Sequence, residues 1–333
     1  MARVSLTLEE IAGLAEQAFL SNGCDEANTE ALVRTVVNAE RDGLLSAGLF
    51  RVPGYVTSLR SGKVNGHAIP TITHASPVVV NVHGDNGYAP LAIERGVSAL
   101  AEAAKQFGVA VMSLTHTHHF AALWPETEAL AAKGLIGLAC VCYTPLVAPA
   151  GGKAPLFGTN PISFAWPRPG RNPVAVDMAT AAMSLGEVQI AAREGHSVPP
   201  GTGLGPDGEP TTDPNEIVKG TLLPFGGYKG SAIALMVELL AAGATGERFS
   251  FEAAEADNKD GGPPRGGEFM LAISPELVAG PDWAEHCEEF FRRFDAIEGA
   301  RLPGSRRHHN RTSAAPRAID ADLVERIRAL CCA

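Results

Sequence analysis

The stretch Val109-Ala-Val-Met-Ser-Leu-Thr-His-Thr-His-His119, followed through Pro125 to Leu135-Ile-Gly-Leu-Ala-Cys-Val-Cys142, decides the fold class. Val109 to Leu114 reads as a strand and Thr115 to His119 as a polar loop. Pro125 to Lys133 reads as a helix that Gly134 ends, and Leu135 to Cys142 as a second strand. Proline suits a first helical turn because its missing N–H has no intrahelical partner there, and glycine just past the end accepts a left-handed backbone. Strand, loop, helix, strand is an α/β unit, and its His-rich loop lies at the carboxyl end of a strand, where open sheets place ligands.

Upstream, Gly108 ends a helix expected over Leu91 to Phe107, and Val78-Val-Val-Asn-Val82 reads as a strand. The first sixty residues read as a small helical unit. Thr7-Leu-Glu-Glu10 is a capping box with Leu8, Ile11, Leu14 and Ala18 at helical spacing, Asp25 caps a second helix through Val37, and a third covers Arg51 to Leu59. Downstream, two apolar strands meet polar groups: Leu156 to Trp166 is interrupted by Gly158-Thr159-Asn160-Pro161, and Val174-Ala-Val176 runs into Asp177. Residues 196–216 read as a surface loop and 253–267 as a polar, mobile segment. Ile233 to Ala242 reads as an apolar helix, and Ile319 to Leu330 as a last one.

At 333 residues, 45% of them hydrophobic, the chain can bury a large core. A net charge of −10 argues against a nucleic-acid partner, which requires a basic stripe to displace counterions. The N-terminus has no apolar signal region and no stretch approaches about 18 continuous apolar residues, so no membrane partner and a cytoplasmic location are expected. The six cysteines, at 24, 140, 142, 287, 331 and 332, form no secreted framework and read as thiols; Cys140 and Cys142 share one strand face as packing residues.

Gly203-Leu-Gly-Pro-Asp-Gly208 has the letters of a dinucleotide fingerprint, but no strand precedes it and Pro206 falls inside it, so it is rejected. Gly226-Gly-Tyr-Lys-Gly-Ser231 lacks the spacing of a phosphate loop. It either supplies backbone donors and one cation to a phosphate or is a plain tight turn. His116, His118 and His119 have no acidic residue in their loop, so no metal is expected; the loop either packs the following helix or receives a polar ligand.

Six blocks in order carry a family resemblance: Ser46 to Tyr55, His118-His-Phe-Ala-Ala-Leu-Trp-Pro125, Leu156-Phe-Gly-Thr-Asn-Pro161, Asp177-Met-Ala179, Leu223-Pro-Phe-Gly-Gly-Tyr-Lys-Gly230 and Arg301-Leu-Pro-Gly304. Together they resemble the malate/L-lactate dehydrogenase family. His-His-Phe-x-Ala-Leu-Trp-Pro and Gly186-Glu-Val-Gln-Ile-Ala-Ala192 are most similar to its Δ1-piperideine-2-carboxylate/Δ1-pyrroline-2-carboxylate reductases. The resemblance implies an α/β, non-Rossmann NAD(P)H-binding fold: a large mixed or antiparallel sheet plus a helical domain formed by both termini, in a homodimer. Residues 1–65 joined by 305–333 would form the helical domain. Residues 66–120 and 135–304 would form an interleaved cofactor-binding sheet domain and a substrate and dimerisation domain.

By the same resemblance, His118, His119, Phe120, Ala121, Ala122, Asp177, Met178, Ala179, Tyr228, Lys229, Gly304, Ser305 and Arg306 touch the cofactor. Arg306 and Arg307 can pair with a 2′-phosphate, which favours NADPH over NADH. Arg51 holds the substrate carboxylate as a bidentate fork, Thr159 orients it, and Ser46 lies in the catalytic pocket.

One departure stands out. Where the family has Ser-His-Gly, with the histidine as proton donor, this chain has Ser46-Ala47-Gly48. Hydride addition to a ketone creates an alkoxide, for which such an acid contributes about 10²–10⁴ in rate. Hydride addition to a protonated C=N leaves a neutral amine and needs no proton at that moment. Glu187 either stabilises that cationic C=N or is a solvated helix residue. The expected function is NADPH-dependent reduction of cyclic α-imino acids, impaired by Ala47. The alternatives are a 2-hydroxy/2-keto acid dehydrogenase of the same family and a catalytically silent homologue that still binds cofactor.

Overall fold

The computed structural model describes residues 2–118 and 122–331. The chain opens with strand β1 (Arg3–Leu6) and helices α1 (Leu8–Leu20), α2 (Glu26–Asp42) and α3 (Val52–Arg60). The capping box forms: the Glu10 N–H donates to Thr7 Oγ1 at 3.1 Å, and the Thr7 N–H donates to Glu10 Oε2 at 2.7 Å. Asp25 caps α2, and Gly43 at φ 85° ends it.

The sheet strands follow: β2 (Thr71–Ser76), β3 (Val79–Tyr88), helix α4 (Ala89–Phe107), β4 (Val109–His118), helix α5 (Trp124–Ala132), β5 (Ile136–Val141), β6 (Ile162–Trp166) and β7 (Val174–Met178). Next come α6 (Leu185–Glu194), the short β8 (Gly203–Leu204) and β9 (Pro210–Thr211), α7 (Pro214–Lys219), β10 (Thr221–Leu222), α8 (Tyr228–Glu238) and α9 (Ser250–Glu255). The chain closes with β11 (Arg265–Ile273), α10 (Pro275–Ala279), α11 (Trp283–Asp295), α12 (Ser305–Arg311), β12 (Arg317–Asp320) and α13 (Ala321–Cys331).

Seven strands form one mixed sheet in the order β2-β3-β4-β11-β5-β6-β7. β3 and β4 are parallel, and the other neighbours pair antiparallel. Parallel neighbours need a crossover, and α4 supplies it. Its buried face, including Ala92, Ile93, Val97 and Leu100, packs with Val80, Val82, Met112, Leu114 and Met270 in the main core.

Two expectations change. Thr115 to His118 is not a loop: β4 continues through it, with Thr117 and His118 opposite Gly87 and Tyr88 of β3 and Gly266 and Arg265 of β11. The partners on either side extend the strand beyond its apolar pattern. Likewise, segment 253–267 is not a free loop: Lys63 Nζ pairs with Asp260 at 2.5 Å and Asp257 at 3.0 Å, and Arg265 begins a strand at the centre of the sheet. Residues 196–216 also carry β8, β9 and the start of α7.

The terminal elements share a second core. Ile11, Phe19, Leu32, Val36, Leu49, Tyr55 and Val56 pack with Ile319, Val324 and Ile327. β1 pairs antiparallel with β12, Arg3 opposite Asp320. Cys140 and Cys142 are buried against Val237, Ala241 and Ala242, and burial raises both thiol pKa values, that of Cys140 to about 12. Among the described residues no helix is long and apolar enough to cross a membrane.

Candidate active site

Two consecutive 3₁₀ turns, Leu45–Ala47 and Leu49–Arg51, join α2 to α3 and carry the first half of the site. Glu40, 2% exposed on α2, lies behind them and accepts the Leu49 N–H at 2.8 Å. Burial pushes its carboxyl up to about 7. A Cβ on Gly48 would lie 2.1 Å from Glu40 Oε1, so only glycine fits between the turn and that carboxyl. Arg51 Nε donates to the Ser46 carbonyl at 2.7 Å, and its guanidinium lies 5.4 Å from the centre of the Phe50 ring. Ala47 is buried between them in sequence.

The second half is the turn Gly158 to Pro161. The Thr159 carbonyl accepts the Thr180 N–H at 2.8 Å and the Thr180 hydroxyl at 3.0 Å, tying the turn to the end of β7. A Cβ on Gly158 would lie 2.6 Å from the Tyr143 nitrogen. Burial raises the Tyr143 phenol pKa, and the positive charge of Arg51 opposes that shift. Tyr143 thus packs its backbone on the Thr159 turn, and its phenol lies within electrostatic reach of Arg51. It stands two residues past the end of β5, and nothing in the local sequence marks it.

The start of α6 packs on the first turn: a Cβ on Gly186 would meet the Ser46 Cβ at 3.3 Å. Glu187, the next residue, is exposed and closes a capping box: its Oε2 accepts the Ser184 N–H at 3.1 Å and the Ser184 hydroxyl at 2.8 Å. Ser184-x-x-Glu187 was legible in the sequence as this cap, a reading distinct from both considered for Glu187 above.

The residues expected at the cofactor fall into three groups. His118 is 3% exposed, with Nδ1 3.0 Å from the Pro263 carbonyl and Nε2 3.3 Å from Asn86 Oδ1, and burial lowers its pKa to about 4. Both ring nitrogens are thus engaged within the fold. His119, Phe120 and Ala121 lie outside the described residues, and Ala122 is half-buried before α5. His116 donates its N–H to Glu247 at 2.7 Å and stacks on His83 at 4.1 Å; among the described residues no three His, Cys, Asp or Glu side chains group as metal ligands.

Asp177 Oδ2 accepts the Leu123 N–H at 2.9 Å and the Trp124 N–H at 2.8 Å, anchoring the start of α5 to the end of β7. Desolvation raises its carboxyl pKa to about 6, against the pull of these two donors. Met178 beside it is exposed and Ala179 half-buried. Gly226 and Gly227, at φ 57° and 62°, lead into α8, whose first residues Tyr228 and Lys229 are exposed and whose N-terminus has no side-chain cap.

Gly304, at φ 90°, starts α12 beside β7, where a Cβ would meet the Ala175 nitrogen at 3.3 Å. Ser305 and His309 line an open pocket of about 510 Å³ with Arg168 and Arg171. Arg306 is exposed. Arg307, paired with it in the sequence reading, turns inward: it donates to the Ala175 carbonyl at 2.7 Å and lies 4.9 Å from the Trp124 ring centre. That commitment leaves Arg306 as the cation of the pair facing solvent.

Residues 6–328 match the family described as malate/L-lactate dehydrogenase. The chain belongs to that family. Among curated members of the malate/L-lactate dehydrogenase family, it is 42% identical over 332 residues to a Δ1-pyrroline-2-carboxylate reductase of Ancylobacter novellus, covering 96% of each chain. It is 39% identical over 303 residues to a (2R)-3-sulfolactate dehydrogenase (NADP⁺) of Chromohalobacter salexigens, covering 91% of this chain and 90% of that one. The crystal structure of Δ1-piperideine-2-carboxylate reductase from Pseudomonas syringae pv. tomato superimposes with a TM-score of 0.93 at 40% identity, over 98% of this chain and 99% of that one. The family is one of oxidoreductases with a nicotinamide cofactor, and the seven-stranded mixed sheet is its fold.

Proposed function

We propose that this protein reduces cyclic α-imino acids with NADPH, Δ1-piperideine-2-carboxylate to L-pipecolate or Δ1-pyrroline-2-carboxylate to L-proline. The observation that carries the reading is the turn Ser46-Ala47-Gly48 beside Arg51: it keeps the cation that can hold a carboxylate and has no acid–base side chain at position 47. The names of the reductase relatives support the substrate class.

The residues present suit a dinucleotide. The uncapped N-terminus of α8 offers backbone N–H groups next to the exposed Lys229, a setting for a phosphate. The exposed Arg306 supports NADPH over NADH, because a guanidinium matches the 2′-phosphate in charge and geometry. When bound, the cofactor supplies hydride. Arg51 would hold the substrate carboxylate, and Thr159 would orient the ring from the facing turn. Reduction of an already protonated C=N gives a neutral amine, so position 47 has no proton to deliver in that step. Ala47 is nevertheless expected to lower turnover, because a donor there would keep the bound imine protonated.

The test assays a cyclic imine, pyruvate and oxaloacetate side by side with NADPH and NADH, in this chain and in Ala47→His. Turnover restricted to the imine and raised by Ala47→His supports the proposal. Preferential turnover of the 2-keto acids favours a 2-hydroxy acid dehydrogenase, the second reading, which the sulfolactate dehydrogenase relative supports. Cofactor binding without turnover, even with His at 47, marks a silent homologue. The exposed Leu235, Met236 and Leu239 along and just beyond α8 support a homodimer, with a second copy covering them. Sedimentation of Met236→Glu as a monomer would bear this out.

A further inference from the structure

Glu238 ends the apolar run Ala232 to Val237 of α8. It is 5% exposed in the last turn of α8, and all four of its hydrogen-bond donors are neutral. Asn160 Nδ2 donates to it at 2.9 Å, the Ser250 N–H at 3.2 Å and the Gly158 N–H at 3.4 Å; the Ser250 hydroxyl completes the set. Two of these donors belong to the residues on either side of Thr159. Asn160 is held at φ 41°, a left-handed conformation that a non-glycine residue keeps only when its surroundings fix it. Its amide also donates to the Ala234 carbonyl at 3.1 Å, so both ends of the contact lie on α8. Immediately after Glu238 the helix widens into a π-turn, Leu239–Ala244.

α8 begins at Tyr228 and Lys229 and ends at this carboxylate. We propose that Glu238 is a positioning residue that locks the Thr159 turn to α8, so that the substrate-orienting threonine and the cofactor-side end of the helix act as one rigid body. This rests on the reading of Thr159 as a substrate contact and Tyr228–Lys229 as cofactor contacts. The carboxylate acts through the turn and touches neither ligand. A plain apolar residue would satisfy the helix but leave the Asn160 amide with the Ala234 carbonyl at 3.1 Å and the Gly158 N–H with the Ser250 hydroxyl at 3.1 Å, removing the one acceptor that gathers all three groups.

The test compares Glu238→Gln and Ser250→Ala with the unaltered protein, by imino-acid KM at saturating NADPH, NADPH Kd by fluorescence, and Tm. The expected result is an imino-acid KM raised about tenfold, the effect of losing one charge-assisted hydrogen bond, with NADPH Kd changed less than about twofold. An unchanged KM in a folded variant overturns the proposal. So does a KM that worsens only in step with NADPH Kd and Tm, since that is a general scaffold effect. Should Glu238→Gln fail to fold, Glu238→Asp, whose shorter side chain withdraws the carboxylate from the turn, decides by the same criteria. An unaltered protein that neither binds nor reduces imino acids removes the functional reading and this proposal together, whereas equal binding by protein and variants removes this proposal alone.

Discussion

Arg51 Nε donates to the carbonyl oxygen of Ser46 at 2.7 Å, reaching back across Ala47. The bond fixes the plane of the guanidinium from within its own turn. Its orientation therefore persists without a side chain at position 47.

Arg51→Lys keeps the charge but loses both the fork and the internal bond. We expect the imino-acid KM to rise about thirtyfold or more, with NADPH affinity unaffected, as measured by steady-state kinetics and fluorescence titration. An unaltered KM would show that the carboxylate is held elsewhere.

Glu40 gives a pH signature. Its carboxyl lies near 7 in the fold against an ordinary value of 4.5, because burial disfavours the charge; the Leu49 N–H and the positive charge of Arg317 lower it only in part. The folded state thus keeps a proton that the unfolded chain releases. The stabilisation is complete below pH 4.5 and is lost as pH rises through 7. Glu40→Gln removes this loss, so the variant should gain relative to the parent between pH 5 and 8, by an upper limit on the order of 3 kcal/mol. Urea unfolding of both proteins across that range checks it; parallel curves would mean that Glu40 is ionised throughout.

Gly48→Ala places a methyl carbon 2.1 Å from Glu40 Oε1. Relief requires the turn or the carboxyl to move. We expect destabilisation of about 1–3 kcal/mol and a larger fractional loss of imino-acid binding than of cofactor binding. Recovery of both in the double variant Gly48→Ala/Glu40→Ala would confirm that this contact is the cause.

Arg311 joins two elements of the fold. It pairs with Asp42, whose side chain is fully buried, and with Glu128 at 2.6 Å, while Trp124 Nε1 donates to Asp42 at 2.9 Å. Arg311→Met leaves Asp42 with Arg41 as its remaining cation and should cost about 3–5 kcal/mol. Arg34→Met, which breaks the half-exposed pair with Glu94, should cost less than about 1 kcal/mol. Denaturant midpoints compare the two directly, and equal losses would refute the distinction.

Local signals made much of the architecture legible. The Thr7 capping box, the glycine stop at 108 and the strand from Val174 into Asp177 each survive in place. β11 escaped because glycines crowd its start and a buried glutamate, Glu268, breaks its apolar run; its flanking strands dictate it. β1 and β12 escaped because each is four residues long and finds its partner at the far end of the chain. Arg51 and Thr159, the proposed substrate contacts, were singled out through motif order. Glu40 and Glu238 were not, since an acid on a helix ordinarily faces water and only distant partners, Leu49 and the Gly158–Asn160 turn, make these two interior groups.

The pairing of Arg3 with Asp320 has a bearing on how the protein is made. The core beneath Arg51 takes Ile319 from β12 and Val324 and Ile327 from α13, so no earlier stretch of chain can complete it. Closing a loop of this length carries an entropic cost that rises only slowly with length, but it cannot be met until the final residues have been synthesised. The sheet can order before that core closes, and the turn carrying Arg51, which packs into the core through Leu49 and Val52, gains its support only when it does. Loss of the closing segment should therefore leave a folded sheet with the Arg51 turn unsupported.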